Sequence, residues 1–168
     1  MKKFGILFIA LIGFVVTANA QATATADAAA TIITPISITK NTNLNFGNVA
    51  VSASTAGTAV ISTAGAVTGF LGVTIPTAGG SPTAATFTID GEGTNGFSIS
   101  FDNSSILLTK SGGGTMTVDN FVSSLGASSS LVSGTKPLAV GATLNVGAGQ
   151  AAGLYENTGD LSVTVNYN

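Results

Sequence analysis

The sequence contains no cysteine, no histidine and no tryptophan, and charged residues make up only 7% of the chain. Without cysteine no disulfide can hold the fold, so packing and backbone pairing must stabilise it. Without histidine and cysteine the chain also lacks the commonest general base, the thiolate nucleophile and most ligands for transition metals. We therefore expect a protein that is not an enzyme and that holds no cofactor or metal ion.

Positive charge is scarce after the first three residues. Arginine is absent, and from Gln21 onward Lys40, Lys110 and Lys136 oppose seven acidic residues, which leaves a formal charge of −4. A phosphate backbone would find few cations on such a surface, so we expect no nucleic-acid partner. Apolar residues make up 45% of the chain, which is typical of a protein that folds rather than of a disordered one.

The N-terminus has the pattern of a secretory signal peptide. Lys2 and Lys3 precede an apolar run over residues 4–16, and Ala18-Asn19-Ala20 follows as a small-residue cleavage site. The run is shorter than the roughly 20 apolar residues of a transmembrane helix. We predict a signal peptide at residues 1–20, export to the periplasm, the cell surface or the medium, and no membrane span after cleavage.

The rest of the chain has room for one domain. About 148 residues remain after cleavage, which is enough for a single hydrophobic core. Residues 21–30 are mainly alanine and threonine, and we predict a flexible N-terminal extension there. Residues 31–168 are predicted to form a β-sandwich domain.

Short alternating segments rich in threonine, valine and isoleucine indicate β-strands rather than helices. The segment "TIITPISI" (residues 31–38) predicts a first strand that is interrupted at Pro35, because proline donates no backbone hydrogen bond. The segment "NLNFGNVAV" (residues 43–51) predicts a second strand, with Leu44 and Phe46 on one face and Gly47 at a bulge or turn.

Later segments show the same alternation of apolar and polar residues. "AATFTIDG" and "GFSISF" flank the turn-like residues 90–96, so we predict that they form a hairpin. "SILLTK", "GTMTVDNFVS" and "ATLNVGA" predict further strands. Regularly spaced strands with turns between them indicate an all-β, immunoglobulin-like antiparallel β-sandwich.

The chain closes on "DLSVTVNYN", a clean alternating strand. Leu161, Val163, Val165 and Tyr167 occupy every second position, which predicts a strand with those side chains facing inward. We consider two arrangements for the pairing of this strand. The strand pairs with the chain's own "TIITPISI" region, which we favour, or it borders a groove that another subunit fills.

Two groups of residues with side-chain oxygen atoms are candidates for catalysis or calcium binding. Asp90 and Glu92 could form a glycosidase-like acid pair, but the chain lacks the aromatic platforms that sugars stack on, and a solvated turn is the simpler interpretation. The same turn does not match an EF-hand, since Asn95 stands where that loop needs glycine. A looser calcium site that includes Asp102 and Asn103 is left open.

Three motifs carry a resemblance to a known family: "TPISI", Leu44-Asn45-Phe46-Gly47, and the closing run "VGATLNVGAGQAAGLY...LSVTVNYN". From about Ala30 to the end the chain resembles the domain of unknown function 4402 family of exported bacterial proteins. Together with Leu161, these motifs define our structural strand motif. Its residues are Leu44, Phe46, Gly47, Gly153, Tyr155, Leu161, Val163, Val165 and Tyr167.

More distantly the chain resembles the pilin and spore-coat-U-type domains of bacterial surface fibres, which also end on an alternating strand with a penultimate aromatic residue, here Tyr167. In fimbrial subunits an incomplete sandwich is completed by an N-terminal strand of the next subunit. Ala22, Ala24 and Ala26 stand where such a donor strand usually has larger apolar residues. The resemblance implies a structural or adhesive surface protein that associates with itself or with other surface subunits.

Ligand binding is an alternative to the structural or adhesive function. A periplasmic or secreted carbohydrate-binding sandwich would present its ligand site on loops, for example residues 90–96 or 111–114. A monomeric sandwich that covers its own edges is a further alternative.

Overall fold

The computed structural model describes residues 21–77 and 80–168, so the predicted signal peptide lies outside the described residues. None of the described residues lies in a helix, and no membrane-spanning helix is found among them. This described part is all-β, which confirms the predicted fold class. Its strands are β1 (Ser37–Thr42), β2 (Ala50–Val51), β3 (Gly57–Ile61), β4 (Val67–Leu71), β5 (Val73–Thr74), β6 (Ala85–Asp90), β7 (Gly96–Phe101), β8 (Ser105–Lys110), β9 (Thr115–Ser123), β10 (Ser128–Ser130), β11 (Thr135–Val146), β12 (Tyr155–Glu156) and β13 (Val163–Tyr167).

The chain divides into two units, Met1–Ile32 and Ile33–Asn168. Within the first unit, residues 21–32 are exposed and have no regular secondary structure. All of the strands belong to the second unit.

Strand β11 is the centre of the main sheet. On one side it pairs antiparallel with β9, and on the other it pairs first with β6 and then with β3. The sheet continues outward from β6 to β1, from β9 to β8 and β12, and from β3 to β4. A strand of 12 residues can serve three neighbours in this way because two short strands share one of its edges.

Gly141 occupies the point where β11 changes partner. Val140 is paired with Ala85 of β6, whereas Ala142 is paired with Ile61 of β3. A side chain at position 141 would collide with the carbonyl oxygen of Ile61 and would lie 2.9 Å from the carbonyl carbon of Ser62. Glycine therefore permits the close backbone approach that lets two strands meet on one edge.

A three-stranded sheet, ordered β10-β7-β13, packs over one half of the main sheet. Phe97 and Ile99 of β7 share a core with Phe87 and Ile89 of β6 and with Leu138 of β11. The strands have alternating buried residues because each sheet has one face toward this core. This arrangement confirms the predicted antiparallel sandwich.

A second core lies over the other half of the main sheet. Its buried members include Ile61, Val118 and Leu144 from the main sheet, together with Phe46 and Val73. Here the opposing layer consists of the short strands β2 and β5 and of loops, because β10-β7-β13 lies over the first core. The two halves of the sandwich are therefore covered unequally.

The predicted first and second strands were wrong in their bounds. Strand β1 begins at Ser37, beyond Pro35, and residues 31–36 are not in a strand. Pro35 has no N–H to contribute to a ladder, so pairing starts after it. Residues 43–49 form no strand beyond a single bridge between Asn45 and Thr83. Gly47 makes the predicted turn, at φ +68°, with its N–H bonded to the Asn45 side chain at 2.9 Å.

The predicted hairpin of β6 and β7 was also wrong. Strand β6 pairs with β1 and β11, whereas β7 pairs with β10 and β13. The residues between them carry the chain from one sheet to the other. Both strands alternate in the same way whether they pair edge to edge or pack face to face, so the pattern could not separate these arrangements.

The strands predicted for "SILLTK", "GTMTVDNFVS" and "ATLNVGA" are confirmed as β8, β9 and part of β11. The closing strand is confirmed as β13. Leu161, Val163, Val165 and Tyr167 all pack against the first core, as their alternation predicted.

Candidate functional site

Strand β13 lies at the edge of its sheet, and the backbone pairing defines which of its groups are free. It pairs with β7 alone, and flanking hydrogen bonds run from the Asn168 N–H to the Gly96 carbonyl (3.1 Å) and from the Asp102 N–H to the Ser162 carbonyl (3.2 Å). The backbone N–H and C=O groups of the even-numbered residues of the strand therefore point toward β7. The N–H and C=O groups of residues 163, 165 and 167 point to the opposite side, where no described residue pairs with them.

This pairing corrects the partner that we favoured from the sequence. The backbone of β13 pairs with β7 and not with the "TIITPISI" region. Strand β1, which contains the last two residues of that region, pairs with β6 at the edge of the main sheet. The two edge strands nevertheless come close to each other on the same side of the sandwich.

A cluster of three residues, which we call the terminal latch, ties the segment before β1 to the end of β13. The Tyr167 hydroxyl donates to the Thr34 carbonyl at 2.9 Å and accepts from the Glu92 N–H at 2.6 Å. The Glu92 carboxylate in turn accepts from the Thr34 N–H at 3.2 Å and from its hydroxyl at 2.8 Å. The latch therefore joins three parts of the chain that are far apart in sequence.

The terminal latch also changes the acidity of Glu92. The hydrogen bond from the Thr34 hydroxyl, followed by the one from the Thr34 N–H, lowers the pKa of the Glu92 carboxyl below its usual value. Both donors stabilise the ionised form, so the carboxylate is favoured over the acid. Glu92 thus holds the segment that precedes β1 through its hydrogen bonds with Thr34.

A second cluster holds the beginning of β13. The Asp102 carboxylate accepts hydrogen bonds from the hydroxyls of Ser162 and Thr164, the latter at 2.8 Å. These bonds, with that from Ser162 first, lower the pKa of the Asp102 carboxyl. Asn103 adds a bond from its side-chain amide to the Asp160 carbonyl at 3.0 Å. Asp102 and Asn103, which we considered for calcium, here bind the chain itself.

The position of the remaining motif residues follows from the same fold. Leu44 packs against both cores and Phe46 is buried in the second. The Tyr155 hydroxyl donates to the Ala151 carbonyl at 2.8 Å and accepts from the Gln150 amide at 2.8 Å. Gly153, at φ +145°, lies against the side chain of Lys110. The motif is therefore distributed over three separate regions.

A comparison with protein families identifies the family of this chain. The model of the domain of unknown function DUF4402 matches residues 36–167, which is nearly the whole of the second unit. The chain belongs to the DUF4402 family. No curated protein and no solved structure matches this DUF4402 chain.

The family match covers the edge strands and most of the interactions that hold them. It begins one residue before β1 and ends at Tyr167, so the unpaired edge of β13 belongs to the DUF4402 domain. Thr34 lies two residues before the match begins. Nothing in the local sequence marks Thr34 as a partner of Glu92, because 58 residues separate them.

The described part of the DUF4402 chain brings few chemically active groups together. Within it, no group of three or more acidic residues is placed so that it could hold a metal ion. Asp90 ends β6, and Glu92 is occupied by Thr34. The backbone edge of β13 is one feature that is available for interaction.

Proposed function

We propose that this protein is an exported, non-enzymatic structural or adhesive subunit of the bacterial cell surface, and that it associates with further copies through the free edge of β13. The unpaired backbone groups at residues 163, 165 and 167 carry this proposal. Such a row of donors and acceptors is a template for an added strand.

The two neighbouring edges differ in how well they are protected. Natural sheets discourage association with lysine, proline or bulges on their edge strands. Strand β1 has two of these devices, Lys40 and an irregular register between Lys40 and Thr42. Strand β13 has a regular register and no charged or proline residue from Val163 to Tyr167. Of these two edges, that of β13 is therefore the unprotected one.

The surroundings of this edge favour a specific partner strand. Ile36 and Ile38 on one side and Val163 and Tyr167 on the other are only partly buried against the first core. An added strand would extend the β10-β7-β13 sheet and would cover these apolar side chains. Backbone pairing would supply the affinity, and the side chains would supply the register.

A substitution at Val163 tests the proposal. Proline at this position removes an outward N–H while it leaves the inward ladder to β7 in place. We expect the mature protein, residues 21–168, to form oligomers or fibres as its concentration rises, and Val163→Pro to remain monomeric. Sedimentation velocity and electron microscopy measure the difference.

Val163→Thr is the matched control, because threonine has a similar shape and keeps the N–H. It should assemble like the wild type. A wild-type protein that stays monomeric, or two variants that assemble equally, would contradict the proposal. Deletion of residues 21–31 then shows which segment supplies the added strand. Loss of assembly assigns it to the N-terminal extension, and retained assembly assigns it to the folded domain.

A further inference from the structure

A cavity of about 1050 Å³, open to solvent along one side, borders the second core. Its volume is just above the range of about 300 to 1,000 Å³ that is usual for small-molecule sites. The cavity is located where the sandwich lacks the three-stranded layer, so its presence follows from the unequal covering of the main sheet.

The floor of the cavity is an apolar surface on the inner face of the main sheet. Ile106 of β8 lies opposite Val118 of β9, and Val118 lies opposite Leu144 of β11. Leu108 and Met116 form a second row across β8 and β9. All five side chains line the cavity. Cross-strand rows of this kind produce a continuous hydrocarbon surface.

Two segments frame the opening. Residues 42–51 lie along one side, with Leu44 and Phe46 among them, and residues 150–161 lie along the other. The second segment crosses from β12 in the main sheet to β13 in the other sheet. Leu154 lines the cavity although 71% of its surface is exposed. An exposed leucine at the rim is suited to contact an apolar molecule that enters.

The chemistry of the walls selects the class of ligand. No buried side-chain nitrogen or oxygen of the described residues lacks a hydrogen-bond partner. At the rim, the Gln150 amide already donates to the Tyr155 hydroxyl at 2.8 Å and to the Thr115 carbonyl at 3.1 Å. Polar side chains such as Asn43, Asn48 and Asn157 also line the cavity. The floor formed by β8, β9 and β11 is apolar, however, so a sugar lying on it would lose hydrogen bonds with water and gain none from the floor. A hydrocarbon chain loses none, so it is the favoured occupant.

The charges at the rim orient such a chain. Among the described residues that line the cavity, Lys40 is the one cation, and it belongs to the same side as residues 42–51. Glu156 and Asp160 belong to the opposite side. We propose that the cavity binds a long-chain fatty acid, with its hydrocarbon chain on the floor formed by β8, β9 and β11 and its carboxylate at Lys40.

The unmodified mature protein gives the first test. Displacement of a fluorescent probe, dansyl-undecanoic acid, measures the affinity for saturated fatty acids from octanoic to palmitic acid. Burial of each additional methylene should tighten binding about fourfold until the cavity is full. A dependence that is absent, or that continues without a limit, would overturn the proposal.

Substitutions on the two faces of β8 give the second test. Leu108→Trp places a larger side chain in the cavity, and we expect it to weaken binding more than tenfold. Leu107→Trp is the matched control, because Leu107 lies on the opposite face of the same strand and is 47% exposed. Thermal unfolding checks that both variants fold, and Met116→Trp, at the partner of Leu108 on β9, replaces Leu108→Trp if that variant does not. Equal binding by the variants on the two faces would overturn the proposal.

The matching fatty alcohol tests the position of the carboxylate. Lys40→Gln should weaken fatty-acid binding by about two- to fivefold, as expected for an exposed ion pair, and should leave the alcohol unchanged. The proposal goes beyond the self-association proposed above. If no fatty acid binds but Leu108→Trp prevents assembly, the cavity holds part of a second copy and the fatty-acid proposal is wrong.

Discussion

The Tyr167 hydroxyl donates a hydrogen bond of 2.9 Å to the carbonyl oxygen of Thr34, which lies 133 residues earlier in the chain. The same hydroxyl accepts the Glu92 N–H at 2.6 Å. The penultimate residue of the chain thus connects the last strand to the β6–β7 connection and to the segment that precedes β1. Because these parts are distant in sequence, the terminal latch can form only when both sheets are in place.

Gly91 lies directly beside the terminal latch and should tolerate a side chain poorly. A methyl group there would collide with the Tyr167 hydroxyl and would lie 2.9 Å from the Leu131 side chain. We expect Gly91→Ala to lower the free energy of unfolding by about 1–3 kcal/mol, which urea denaturation measures. Gly96→Ala is the control, since its nearest contact would be an ordinary 3.4 Å to the Asn168 side chain.

Combining Gly91→Ala with Tyr167→Phe tests the cause. Tyr167→Phe alone removes two hydrogen bonds, and we expect it to cost about 1–2 kcal/mol. In the double variant the methyl group no longer meets the hydroxyl. The combined loss of stability should therefore be smaller than the sum of the two single losses. Strictly additive losses would show that Gly91 and Tyr167 do not interact as the structure describes.

Stability should decrease in acid because of Glu92 and Asp102. Hydrogen bonds lower the pKa of both carboxyls in the folded state, from ordinary values of 4.5 and 3.8. Each ionised group therefore stabilises the fold above its ordinary pKa, and this contribution is lost as the pH falls through the lowered value. We expect the free energy of unfolding to be constant from neutral pH to about pH 5 and to fall below about pH 4.

Glu92→Gln isolates the contribution of the latch to this pH dependence. The variant should be less stable than the wild type at neutral pH, and the difference should shrink in acid, where the wild-type carboxylate is protonated. Glu156→Gln, at an exposed acid of β12, is the control and should unfold like the wild type at each pH. A stability difference for Glu92→Gln that does not change with pH would contradict the assignment.

Gly141 should be essential for the meeting of β3 and β6 on the edge of β11. Its added methyl would collide with the Ile61 carbonyl. We expect Gly141→Ala to destabilise the domain by about 2 kcal/mol or more, as measured by thermal unfolding. Gly147→Ala is the comparison, because its nearest contact is the end of the flexible Gln150 side chain at 3.1 Å. Equal stability of the two variants would exclude the proposed role of Gly141.

The predictions from the sequence were good where a strand keeps one face in the core. Alternation identified β13 and the inward position of Val163 and Val165, because the period of two depends only on which face is buried. It was less informative where the chain leaves regular pairing. Residues 43–49 alternate in the same way but form a turn at Gly47 and a single bridge at Asn45.

The two clusters that hold β13 could not be found from local patterns. Asp90, Glu92 and Asp102 were recognised as acids with candidate chemistry, but their partners could not be assigned. Thr34 lies 58 residues before Glu92, and Ser162 lies 60 residues after Asp102. Threonine and serine are so frequent in this chain that no spacing distinguishes the ones that bind these acids.

The sequence by itself determined the all-β class, the DUF4402 membership and the strand at the C-terminus, because composition, motif and alternation are properties of short segments. Only the tertiary structure decided that β13 pairs with β7, that β6 and β7 lie in different sheets, and that one half of the main sheet is left with a cavity. These features depend on which strands meet across long separations. An alternating segment specifies the face that it buries but not the neighbour beside it.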